Sequence, residues 1–136
     1  MREMTKVAML KALLIVLAKI AVSAPIIIYL RFLLTYIIMI EILIKPSKKA
    51  DKKFDAIIDG KKTVSFGSSQ HSDFTKHKDP ERKQRYLDRH KARENWNDPT
   101  TAGALSKFVL WNKPTITASV KDMDKHFKDY KIKLAP

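Results

Sequence analysis

The sequence predicts a mainly α protein: one N-terminal transmembrane helix, with room for a second, and a small basic α-rich module carrying a short β-hairpin. Three observations lead there. Residues 7–44 are almost wholly apolar, charged only at Lys11, Lys19, Arg31 and Glu41. Lys and Arg outnumber Asp and Glu 27 to 14, a formal charge of +13 weighted toward the polar remainder. Turn and cap signals after residue 45 mark one hairpin and three short helices.

The membrane expectation rests on length. A helix rises about 1.5 Å per residue, so about 20 apolar residues cross a hydrocarbon core of about 30 Å. Residues 25–44 form such a run, with Pro25 suited to a first helical turn and Ser23 placed to cap it. Pro25, Ile28, Leu30, Phe32, Leu33, Ile37, Ile40 and Leu43 are its expected lipid-facing residues, and Arg31 can snorkel to the headgroups. A lead-in helix is expected over about residues 5–22. It reads as an interfacial helix with Lys11 and Lys19 at the headgroups, the first arm of a hairpin, or part of one kinked helix, with a single span preferred to two. The start also resembles a signal peptide, with a basic Met1–Lys6 and a small-residue step at Ala21-Val22-Ser23, but the apolar run continues well beyond it. The domain division follows: an anchor at 1–46 and a basic docking module at 47–136.

In the module, residues 45–53 read as a basic linker. Asp59-Gly60 between two β-rich runs signals a hairpin. Asp79-Pro80-Glu81 opens a helix expected to reach about residue 95, with an N-cap, a first-turn proline and an acid on the positive dipole end. Thr100 or Thr101 caps a second helix to about Trp111, and Ser119-Val-Lys-Asp122 has the form of a capping box opening a third. The apolar residues are few, so the module is expected to be poorly ordered alone.

The best candidate for chemistry is the helix from Pro80. Arg82, Arg85 and Arg89 share a face, Arg93 extends it by a turn, and Lys83 widens the charge. Guanidinium forks grip carboxylates or phosphates, so these five are the expected anionic-partner residues. Tyr86, Trp96 and Trp111 are the expected interface anchors. The competing assignment is a solvated face paired with Glu81, Asp88 and Glu94.

Other chemistries find little purchase. His71, His77, His90 and His126 lack metal-ligand spacing, and there is no cysteine. Asp73 with Glu81-Arg82-Lys83 echoes a nuclease pattern, but Pro80 puts its second half on a helix rather than a strand. No triad is visible, and three glycines leave no phosphate-cradling loop. The chain therefore reads as a non-enzyme, with no catalytic residue, metal or cofactor.

Ser72 to Trp96, SDFTKHKDPERKQRYLDRHKARENW, and Leu110 to Ser119, LWNKPTITAS, resemble a family of small basic proteins of large nucleocytoplasmic DNA viruses of algae and protists. The resemblance covers about residues 64–128. In such particles a capsid shell surrounds an internal membrane. Resemblance and anchor together imply a minor capsid protein at the membrane–capsid interface, with capsid proteins, other minor virion proteins and the bilayer as partners. A membrane-bound nucleic-acid tether through the same arginines is the alternative, and a small viroporin-like protein a further one.

Overall fold

A computed structural model describes residues 2–19 and 23–136. The chain forms two compact units, divided between Met39 and Ile40.

The first unit holds α1 (Arg2–Lys19) and α2 (Ala24–Ile38). Pro25 lies in the first turn of α2, while the Ser23 hydroxyl makes no cap hydrogen bond. The Ala21-Val22 step that resembles a cleavage site lies outside the described residues.

The second unit overturns the mainly α expectation. Its frame is a four-stranded mixed sheet of β1 (Ile40–Pro46), β2 (Lys52–Ile58), β3 (Lys62–Ser68) and β4 (Tyr130–Leu134), in the order β3-β2-β1-β4. The expected span is therefore two elements. α2 ends at Ile38 after 15 residues, and Ile40 to Ile44 enter the sheet interior as β1. Among the described residues no helix is long and apolar enough to cross a membrane. Ile40 and Leu43 are strand residues, whereas Pro25, Ile28, Leu30, Phe32, Leu33 and Ile37 lie on α2.

The physical reason is periodicity. Ile40-Glu-Ile-Leu-Ile-Lys45 alternates, so Ile42 and Ile44 point to one face and are wholly buried, while Glu41, Leu43 and Lys45 take the other. β1 pairs antiparallel with β2 (Ile42 opposite Ile58, Ile44 opposite Ala56) and parallel with β4 (Ile42 opposite Ile132). The expected hairpin is present: Asp59 and Gly60, both at positive φ (53° and 69°), turn β2 into β3.

Helices cover the Ile42 face. Between β3 and β4 the chain forms α3 (Phe74–His77), α4 (Pro80–His90), α5 (Ala102–Leu105), a π turn at Ser106–Leu110, and α6 (Ile116–His126). Leu105, Val109, Leu110, Val120 and Met123 meet Ile42, Ile44, Phe66 and Ile132 in one core. Gly67, at φ +79°, allows a close approach between sheet and π turn: a Cβ there would lie 2.6 Å from Leu110 Cδ1. The third helix begins earlier than its capping-box pattern suggests. Thr115 caps it, accepting from Ala118 N at 3.2 Å, and Ser119 is buried, its hydroxyl accepting from Lys113 N at 3.0 Å.

Candidate anion-binding cleft

A cleft of about 410 Å³ opens between the end of β3, the 68–73 loop, α4 and the π turn. Asp79 sets α4 in place, its carboxylate accepting from Glu81 N (3.0 Å) and Arg82 N (3.3 Å). The helix then turns Arg82, Tyr86, Arg89 and His90 toward the cleft. At 100° per residue Arg82 and Arg89 lie about 20° apart, with Tyr86 beside them. Both guanidiniums are exposed, and neither makes a side-chain hydrogen bond or ion pair among the described residues. His71 and Lys53 add basic groups from the facing wall.

The other expected cations lie elsewhere. Arg85 and Arg93 are exposed but do not line the cleft. α4 ends at His90 rather than about residue 95, so Arg93 sits in the following turn, its N–H donating to His90 O at 3.0 Å. Trp96, three residues on, packs against the core. Lys83 works as a strut: its ammonium donates to Asn112 O at 2.7 Å and lies 4.9 Å from the Phe74 ring centroid. Burial lowers its pKa, and the Lys113 charge lowers it further.

The aromatic residues form a stack. Tyr86 lies parallel to Trp111, with centroids 4.1 Å apart and planes 3° apart, and His90 stacks on Tyr86 at 4.3 Å. His77 closes the series against Trp111 at 5.3 Å. Burial pushes the Tyr86 hydroxyl up to about 12, helped by the Glu94 charge. Trp96 is not part of this wall. Its indole lies under the Lys107 ammonium, 4.3 Å away.

At the cleft edge Asp73 is buried and fully engaged. It accepts from Thr75 N at 2.9 Å and from the Thr75 hydroxyl, and it pairs with the Lys53 ammonium. It is thus not free to act as a general base. Among the described residues no three His, Asp or Glu side chains converge as metal ligands.

Residues 42–90 match DUF5754, a family of unknown function. The match runs from β1 to the last residue of α4. It includes Lys53, His71, Asp73, Arg82, Tyr86, Arg89 and His90, but stops before Ser106 and Trp111 on the opposite wall. No curated protein and no solved structure matches the chain.

Sequence spacing alone brought out Arg82, Arg89 and Tyr86 of this site. Lys53 and His71 had no local signal, because only the β2–β3 pairing carries them to α4.

His77 shows how tightly this wall is set. Its Nδ1 accepts from Asp79 N at 3.0 Å, so the proton of the neutral ring is on Nε2, which is buried without a partner. Burial, then the Arg82 charge, lowers its pKa below 6.5. The unfolded chain thus takes up a proton at a higher pH than the folded one. The stabilisation is complete above about pH 6.5 and is lost as pH falls toward the folded value. Melting temperature should drop between about pH 7 and 5, and His77→Asn, which keeps an acceptor for Asp79 N, should flatten that slope. An unchanged slope in the variant would assign the acid sensitivity elsewhere.

Proposed function

We propose that the chain is a non-catalytic docking module whose cleft seats carboxylates of an acidic partner protein. One observation carries the reading: Arg82 and Arg89 face the same cleft, and among the described residues neither is paired with an internal anion, the Asp73 carboxylate being taken by Lys53. Two guanidiniums on one face of a helix, unpaired among the described residues, offer forks suited to carboxylate oxygens. The aromatic stack favours protein over nucleic acid as the source of the anion. Tyr86 has both faces covered by Trp111 and His90, so it offers no ring on which a base can stack. With the resemblance of residues 64–128, this supports a structural role in a large DNA virus particle, gripping acidic faces of capsid or other virion proteins.

The test is charge reversal. Arg82→Glu with Arg89→Glu should weaken binding to polyglutamate, and to particle proteins, by about 2 kcal/mol or more, because the pair becomes desolvated on docking. Arg85→Glu with Arg93→Glu, off the cleft, should cost about 1 kcal/mol or less. Equal effects from the two pairs would reduce the interaction to a diffuse basic surface. Tighter binding to DNA than to polyglutamate, with affinity falling steeply with salt as counterions are released, would favour the nucleic-acid tether.

A further inference from the structure

The N-terminal unit presents a second, unrelated surface. On α2, Phe32 is 80% exposed, Tyr29 67%, Ile28 66% and Tyr36 63%, with Ile26, Leu33 and Ile37 also exposed. At 100° per residue these seven side chains cover about half the circumference of the helix without a polar interruption. Arg31 and Thr35 lie together at one margin. The Thr35 hydroxyl donates to Arg31 O at 2.8 Å, so its proton is satisfied within the helix and needs no water. On α1, Met9, Leu13, Ile15 and Val16 are exposed beside Lys11 and Lys19. From Arg2 to Ile38, the extent of α1 and α2, the sequence has five cations and one acid, Glu3.

We propose that α1 and α2 embed side-on in the interfacial layer of an anionic bilayer. Charge complementarity selects the occupant. A second copy would bring the five cations of α1 and α2 from each chain together against a single acid, Glu3, in each. Anionic headgroups supply the missing charge. The shape agrees: a convex apolar arc this broad exceeds the stripe that a protein groove takes from a helix, whereas fluid acyl chains conform to it. At 15 residues α2 is about 22 Å long, so lying in the plane puts its whole apolar arc at one depth. The inference uses no cleft residue.

Flotation of the full-length protein with vesicles of phosphatidylcholine, alone or mixed with phosphatidylserine, tests this. Co-flotation with the anionic vesicles is expected, retained at about 0.5 M salt, where surface charges are screened within a few ångströms. Phe32→Glu with Tyr36→Glu should weaken it by about tenfold or more, since each ring loses its burial. Phe32→Trp should show emission quenched by brominated acyl chains beyond the wild-type signal of Trp96 and Trp111. Arg82→Glu with Arg89→Glu should float like wild type, which separates this surface from the cleft. Three results would overturn the proposal: no flotation with either vesicle, binding that survives the glutamate pair but not salt, or lipid-free self-association that buries the indole introduced by Phe32→Trp.

Discussion

Truncating Ile42 to alanine should cost the fold about 2–5 kcal/mol, and Ile44→Ala a similar amount. Both side chains are wholly buried on β1, which has partners on each side in β2 and β4. Removing three carbons there loses transfer free energy and leaves a cavity that a sheet paired along both edges cannot close. Ile28→Ala on α2, two-thirds exposed, should change stability by about 0.5 kcal/mol or less. Urea unfolding of the full chain, followed by the fluorescence of Trp96 and Trp111 on the core, gives the comparison. If Ile42→Ala proved as mild as Ile28→Ala, β1 would not be the centre of this sheet.

That contrast also locates where the sequence misled. Residues 25–44 satisfy a helix-length ruler because the apolar run passes through Met39 without a polar residue, although the element changes there. The correct signal was present: Ile40-Glu-Ile-Leu-Ile-Lys45 has the two-residue alternation of a half-buried strand, and so does Tyr130-Lys-Ile-Lys-Leu134. What no local pattern shows is that these two segments pair with each other. Ile42 meets Ile132 in a parallel ladder across nearly the whole second unit. A cut at Lys45 would remove most of the central strand, so the poor order expected of such a fragment would reflect the cut rather than a deficient core.

Where the physics is local, the sequence was legible. Asp59-Gly60 encodes its own positive-φ turn, and Asp79-Pro80-Glu81 its own cap. Arg82 and Arg89 followed from helical spacing. Ser119 shows the opposite case. Its spacing to Asp122 imitates a cap, but packing buries it inside α6, one turn past the Thr115 cap, where it ties down Lys113.

Asp73 joins fold and cleft, and its removal should be among the most damaging single changes. The carboxylate is 2% exposed, and it holds both the first turn of α3, through Thr75, and the Lys53 ammonium. Asp73→Ala leaves an ammonium in a largely buried position without its counter-charge, a loss of about 3–5 kcal/mol, with about 1 kcal/mol more from the missing cap. Lys53→Met should cost less than Asp73→Ala, because Asp73 keeps its two Thr75 hydrogen bonds. It should also lessen the effect of Asp73→Ala, since the stranded charge is gone. A double-mutant cycle on the two positions should therefore give a coupling of about 1–3 kcal/mol. Additive losses would mean that the pair contributes through packing alone. Lys53 also lines the cleft, so in Asp73→Ala its freed ammonium becomes a third cation facing the bound anion. Polyglutamate should accordingly raise the melting temperature of Asp73→Ala more than that of the wild type, because the ligand replaces the lost counter-charge as well as occupying Arg82 and Arg89.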